Sequence, residues 1–284
     1  MYDTLISAKT LGKHLNKGWL IVDCRFSLSD KAWGREAYLD RHIAGSYYAH
    51  LDDDLSSEII PGKTGRHPLP SLQDFEELLS SWGLSQNEQV VIYDQGPGGI
   101  AARLWWMLHW VGHHQVAVLD GGWAVWIAEE LPTSYVLPIK KSSNFQVKER
   151  RGLIRSAKDV ERIRQDDQHI LIDSRAAARY RGEEEPIDPI AGHIPGAVNR
   201  PFKDNLLEGG LWKDTELLRK EFEGLVADRD AEHTTFYCGS GVTACHNILA
   251  YKHAGLGEAL LYPGSWSEWI NREERAKRVK REKK

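Results

Sequence analysis

The chain repeats itself, so its fold must be one that can be built twice. Trp19-Leu-Ile-Val-Asp23-Cys-Arg25 is matched by His169-Ile-Leu-Ile-Asp173-Ser-Arg175, with the two aspartates 150 positions apart. Arg41-His42-Ile43-Ala44-Gly45 returns as Gly192-His193-Ile194-Pro195-Gly196, with the histidines 151 apart. Val90-Val-Ile-Tyr93-Asp94 returns as Thr234-Thr-Phe-Tyr237-Cys238, with its last residues 144 apart. Gly122-Trp123-Ala-Val-Trp126-Ile127 pairs with Gly264-Ser-Trp266-Ser-Glu-Trp269-Ile270. Four anchors in one order at nearly one offset define two copies of a single domain. The boundaries expected from this are 1–131 for the first copy, 132–151 for a linker, 152–271 for the second copy and 272–284 for a charged tail.

Each copy alternates short apolar, β-branched runs with helical patterns. That is the mark of an α/β fold, a parallel sheet covered by helices on both faces. In the first copy, Ser7 to Leu15 reads as an amphipathic helix and Leu20-Ile-Val-Asp23 as a buried strand. Leu72 to Leu79 has helical spacing. Val90 to Tyr93 is strand, Ile100 to Trp110 is an apolar helix, and Val116 to Asp120 is strand again. The second copy restarts the pattern at Ser156. Between them, Pro132 to Arg151 has little periodicity, and Arg272 to Lys284 is a run of charge that reads as solvated.

The repeat isolates one chemically distinct stretch, Cys238-Gly239-Ser240-Gly241-Val242-Thr243-Ala244. A strand that ends in a Gly-rich turn and restarts as a helix leaves several backbone N–H groups facing one small concavity. The helix adds its positive N-terminal end. Both effects favour the thiolate, which is the reactive form of cysteine. Gly239 and Gly241 let the backbone curl around the sulfur, and Ser240 and Thr243 add hydroxyls. In the first copy Asp94 stands where Cys238 stands, so that copy is catalytically silent.

Other uses of such a cysteine fit less well. A cysteine phosphatase needs an arginine six residues after the nucleophile, and that position is Ala244. The three cysteines, Cys24, Cys238 and Cys245, include no C-x-x-C pair, which argues against zinc or a disulfide. Cys24 and Cys245 read as core residues. His113-His114 lacks a spaced partner, so no metal or other cofactor is expected.

The loop Cys238-Gly-Ser-Gly-Val-Thr-Ala resembles the active-site loop of the rhodanese superfamily, and the tandem repeat extends the resemblance over most of the chain. The form is that of the mercaptopyruvate-using members; thiosulfate-using members more often carry Arg-Lys at the Gly239-Ser240 positions. The resemblance implies two tandem rhodanese-like domains and a sulfurtransferase that carries sulfur as a Cys238 persulfide. It carries over Arg179 as a carboxylate-binding residue. It also carries over a triad of Ser240, His67 and Asp52 that protonates the departing enolate, with Asp53 or Asp54 as alternative acids. Gly239, Gly241, Val242 and Thr243 line the sulfur site. The family's second arginine is missing, because Ile187 follows Glu185-Pro186; Arg66 or Arg181 could supply that charge. Arg175 reads as scaffold, paired with Asp173, because Asp23 and Arg25 repeat the pattern in the silent copy. The His42 and His193 turns are scaffold for the same reason.

Composition bounds the partners. The chain is 41% hydrophobic and 27% charged with a net charge of -4, so it carries no polycation signal for nucleic acid. No apolar run approaches a membrane span. Few cysteines and an N-terminus without a secretory pattern point to the cytoplasm. The expected partners are a small anionic sulfur donor and a thiol or thioredoxin-like acceptor. Thiosulfate as donor, or a non-catalytic binding module, are the alternatives.

Overall fold

The short apolar runs form the strands. The computed structural model describes residues 1–15, 17–139, 142–272 and Arg275. The strands are Leu5–Ile6 (β1), Leu20–Asp23 (β2), His42–Ile43 (β3), Tyr47–Tyr48 (β4), Val90–Tyr93 (β5) and Val116–Leu119 (β6). They continue with Thr133–Ser134 (β7), Ile170–Asp173 (β8), Val198–Asn199 (β9), Thr234–Tyr237 (β10) and Leu260–Leu261 (β11). One sheet has the order β1-β6-β5-β2-β4 and another β11-β10-β8-β9, and every pairing in them is parallel. Every residue of β2, β5, β6, β8 and β10 is buried, which is why these strands read as unbroken apolar runs and not as alternation.

Helices flank both sheets, and their starts follow from the sequence. Ser7, Ser71 and Ser156 each accept a backbone N–H as the N-cap of Ala8–Gly12, Leu72–Ser81 and Ala157–Ile163. At Ser156 the bond is returned by Asp159, completing a capping box. Ile21, Val91, Tyr93 and Trp126 centre one core, and Leu171, Tyr237, Trp266 and Trp269 the other. Trp105, Trp106, Trp126, Trp266 and Trp269 are fully buried, so these tryptophans are packing residues.

The duplication holds at the level of single bonds. Arg25 and Arg175 each grip the neighbouring aspartate through Nη2, at 2.7 Å from Asp23 and 2.6 Å from Asp173. The same nitrogen donates at 2.6 Å to the carbonyl of Arg41 in one copy and of Gly192 in the other. Ile43 N–H donates to the Tyr93 hydroxyl and Ile194 N–H to that of Tyr237, both at 3.1 Å. His42 and His193 each donate through Nδ1 to a carbonyl, of Tyr38 at 2.6 Å and Tyr180 at 2.8 Å. The Asp–Arg pairs and the two histidine turns, read as scaffold, are thus bonded alike in both copies.

Two compact units emerge, and their composition departs from a simple cut. The first comprises Met1–Ser57, Leu69–Arg150 and Glu208–Trp212; the second comprises Glu58–Pro68, Arg151–Leu207 and Lys213 onward. Residues 58–68, placed in the first copy by the repeat, therefore belong to the second unit. The stretch read as a linker belongs to the first up to Arg150. There β7 pairs antiparallel with β3, and Arg150 N–H donates to the Trp110 carbonyl at 2.8 Å. A two-residue polar strand has no periodicity to betray it. Arg275, in the tail read as solvated, is buried over the Trp269 ring at 4.3 Å and donates to Glu161 at 3.1 Å. The tail beyond residue 275 lies outside the described residues. Among the described residues no helix is long and apolar enough to cross a membrane.

Candidate active site

The loop Cys238–Thr243 leaves the carboxyl end of β10, a strand with neighbours on both sides, and leads into the helix Ala244–His253. In parallel sheets ligands bind at this end of the strands. A second turn holds the loop in place. Cys238 N–H donates to Ser265 Oγ at 3.0 Å, while its carbonyl accepts from Trp266 N–H at 3.0 Å. The Gly239 carbonyl accepts from Ser267 N–H at 2.9 Å. Ser265 adopts a left-handed φ of 54°, an uncommon conformation that puts it where it can serve this purpose. The Gly264-Ser265-Trp266 anchor was legible only as a repeat marker; its role is to clamp the cysteine loop.

Within the loop, Gly241 N–H points at Cys238 Sγ from 3.2 Å, and the cysteine is 2% exposed. Gly241 has a φ of 77°, and a Cβ there would lie 2.3 Å from the Pro263 carbonyl oxygen. Left-handed backbone alone costs a residue with a side chain ~1–2 kcal/mol, and the clash forces the loop to move. Gly241→Ala is therefore expected to lower turnover at least about tenfold, since loss of alignment by an ångström is enough for that; steady-state rates beside thermal unfolding curves check it. Val242 is buried, and Thr243 is half-buried at the N-cap of the following helix, where its side chain makes no capping bond. Cys245 is buried and its thiol donates to the Gly241 carbonyl at 3.4 Å, so it supports the loop. Burial first, and then the charge of Asp23, pushes the Cys24 thiol far above its usual range, leaving it protonated.

Ser240 and His67 come together, although they are 173 residues apart. His67 Nδ1 and Ser240 Oγ share a hydrogen bond of 2.7 Å, and both residues are buried. Asp52 belongs to the first unit, where it pairs with Lys31 Nζ at 2.6 Å. Of the alternative acids, Asp54 accepts the His50 N–H at 2.7 Å, and Asp53 lies 3.2 Å from His50 Nδ1.

Arg66 and Arg179 converge on Gly239. A Cβ on that glycine would lie 2.8 Å from Arg66 Nη2 and 3.6 Å from Arg179 Nη2. The space that a side chain at 239 would need is thus taken by two guanidinium groups. Both are tied to Asp188: Arg66 through Nη1, and Arg179 through Nη2 at 3.2 Å. Arg179 also grips Glu185 at 2.6 and 3.3 Å. Glu185 reaches Arg175 at 3.2 Å, and Arg175 holds Asp173. Burial pushes Asp188 above the usual carboxylate range, with Arg66 and Arg179 acting against that push. For Glu185 the balance is reversed: burial is outweighed by the hydrogen bond and charge of Arg179 together with the N–H groups of Asp188 and Ile187, and the carboxyl sits below its usual range.

Two expectations need correction here. Arg181 does not replace the arginine missing at Ile187; it pairs with Glu183 at 2.6 Å, with both side chains more than half exposed. Arg66, assigned to the first copy, sits in the second unit beside the loop, and its N–H donates to Ser267 Oγ at 3.1 Å. Asp188, Glu185 and Ser265 were not singled out from sequence. The first two flank Pro186-Ile187, where the family's second arginine is missing.

In the first unit the equivalent loop holds an anion of its own. The Asp94 carboxylate accepts N–H bonds from Gly96 and Gly98 at 3.0 Å through one oxygen. Through the other it accepts from Ile100 at 3.0 Å and Ala101 at 3.2 Å. The loop fold is an anion cradle, filled in one copy by a carboxylate and headed in the other by a cysteine.

Comparison with known proteins agrees with this geometry. Residues 7–129 and 156–272 each match the family described as Rhodanese-like domain. The chain belongs to the rhodanese family, as a tandem of two such domains. A Pseudomonas aeruginosa protein named "probable 3-mercaptopyruvate sulfurtransferase" is 44% identical over 94% of both chains. The human 3-mercaptopyruvate sulfurtransferase is 36% identical over 86% of this chain and 85% of its own. Bovine thiosulfate sulfurtransferase is 32% identical over 96% and 93%. The structure of 3-mercaptopyruvate sulfurtransferase from Leishmania major superposes with a TM-score of 0.81 at 31% identity, covering 94% of this chain and 74% of that one. Like these relatives, the chain is a sulfurtransferase.

Proposed function

We propose that the chain moves sulfur from 3-mercaptopyruvate to a thiol or thioredoxin-like acceptor through a persulfide on Cys238. The Cys238 thiolate attacks the donor sulfur, an S–S bond forms, and the donor's C–S bond breaks with its electron pair passing to the enolate of pyruvate. A proton delivered to that enolate completes pyruvate. The acceptor thiolate then takes the outer sulfur and Cys238 leaves as thiolate, so the two half-reactions form a double displacement. The Gly241 N–H and the helix N-terminus stabilise negative charge on sulfur as an oxyanion hole does on oxygen. Arg179 and Arg66 receive the donor carboxylate, which suits a guanidinium fork. Both half-reactions suit the cytoplasm, where thiol acceptors stay reduced.

The observation that carries this reading is the 2.7 Å bond between His67 and Ser240 inside the cysteine loop. It supplies a proton route that an enolate leaving group needs and a sulfite leaving group does not. The bovine relative makes thiosulfate the competing donor. Steady-state assays of pyruvate release from 3-mercaptopyruvate and sulfite release from thiosulfate separate the two. The expected result is pyruvate release dominating at equal donor concentration, with His67→Asn lowering it about 100-fold, the lower range for a lost general acid. Sulfite release dominating, or a His67 variant that slows both donors equally, would contradict the reading.

A further inference from the structure

We propose that Asp188 selects the donor by charge, holding the site in a state that favours a monoanion over a dianion. The inference deepens the functional reading above and rests on it. Around Gly239 the charged groups of the second unit form an alternating ladder: Asp173, Arg175, Glu185, Arg179, Asp188, Arg66. Three guanidinium groups meet three carboxylates, so the ladder is neutral before any donor arrives. Its last two members, Asp188 and Arg66, stand at the loop end. Asp188 offsets one of the two positive charges that crowd Gly239, and its side chain is 2% exposed, where water screens little.

A monoanion such as 3-mercaptopyruvate, whose thiol is protonated near pH 7, brings one negative charge to this neutral ladder and is received by the N–H groups of Arg66 and Arg179. A dianion such as thiosulfate brings a second charge that nothing in the ladder balances. Removing the Asp188 charge changes the local potential, and Coulomb's law doubles the effect on a dianion relative to a monoanion. If the monoanion gains a given factor, the dianion gains its square. Any loosening of Arg66 and Arg179 that slows both donors alike divides out of the ratio.

The experiment compares wild type with Asp188→Asn, Asp188→Ser and Asp188→Glu at pH 7.5 on the full chain. One arm measures kcat/KM for thiosulfate over that for 3-mercaptopyruvate. The other measures Cys238 alkylation by iodoacetate, an anion, over that by iodoacetamide, which is neutral, with peptide mass spectrometry assigning the site. Both ratios are expected to rise by one common factor, about tenfold for a nearby buried charge, in the Asn and Ser variants. Asp188→Glu, which keeps the charge, is expected to stay within about twofold of wild type. Unchanged ratios with lower absolute rates would make Asp188 purely structural and overturn the proposal. A raised alkylation ratio with a flat donor ratio would overturn donor selection as well. Failure of the functional reading is separate: it appears on wild type, as sulfite release dominating or as no sulfur gained from either donor. The alkylation ratio would then still decide whether Asp188 sets the charge at Cys238.

Discussion

Cys238→Ser is expected to abolish sulfur transfer from both donors, lowering turnover by at least about 10,000-fold, the scale seen when a nucleophile is removed from a covalent mechanism. A serine hydroxyl has no accessible anion near neutrality and forms no stable O–S link of this kind. The replacement is nearly isosteric. Its Oγ would occupy the position to which Gly241 N–H points, and the backbone clamp through Ser265, Trp266 and Ser267 does not involve the sulfur. The fold should therefore persist, and thermal unfolding within a few degrees of wild type separates a chemical loss from an unfolded chain. Pyruvate and sulfite assays on the purified variant measure it. Residual transfer above about one hundredth of wild type would point to another sulfur carrier.

Asp94→Ala is the second large effect, and it falls on stability. Four backbone N–H groups end on this buried carboxylate, from Gly96, Gly98, Ile100 and Ala101. Alanine leaves them facing a small cavity. Each unsatisfied buried donor costs roughly 1–3 kcal/mol, reduced wherever water can enter. A total near 4 kcal/mol is the expected order for the four donors together, which corresponds to a fall of roughly 10 °C in the unfolding of the first unit. Asp94→Asn keeps one acceptor oxygen but turns an NH2 toward two of the donors, so it should recover only part of the loss. Differential scanning calorimetry reads both. A variant that unfolds at the wild-type temperature would show that the loop does not depend on its internal anion.

That carboxylate also marks the limit of reading the chain by its repeat. Aligning Asp94 with Cys238 was enough to call the first loop silent. The sequence could not show that the carboxylate is consumed by the loop's own N–H groups, because that depends on backbone curvature over seven residues. Local signals were read well: the buried strands from their apolar runs, the helix over Leu72 to Leu79 from its spacing, and the Asp–Arg scaffold from its duplication. The pairing of His67 with Ser240 came from family resemblance; no spacing rule reaches across 173 residues. Contacts of that range decided the surprises as well. Arg66 meets Asp188 across 122 residues, which is why the charge ladder was invisible and Arg181 looked as good a candidate. Residues 58–68 lie within the first copy in sequence yet pack with the second unit, where Thr64 O accepts from Asn271 Nδ2 at 2.8 Å. Arg275 shows the same limit, since a charge in a charged run is buried only if an aromatic face awaits it.

Sulfur residing at Cys238 is the central step, and intact-mass measurement after a brief exposure to 3-mercaptopyruvate tests that most directly. Wild type should gain one sulfur, about 32 Da, as a persulfide, located to the peptide bearing Cys238 and discharged by added thiol, while Cys238→Ser gains nothing. A wild-type mass that does not change while pyruvate is released, or a gain that survives in Cys238→Ser, would contradict it.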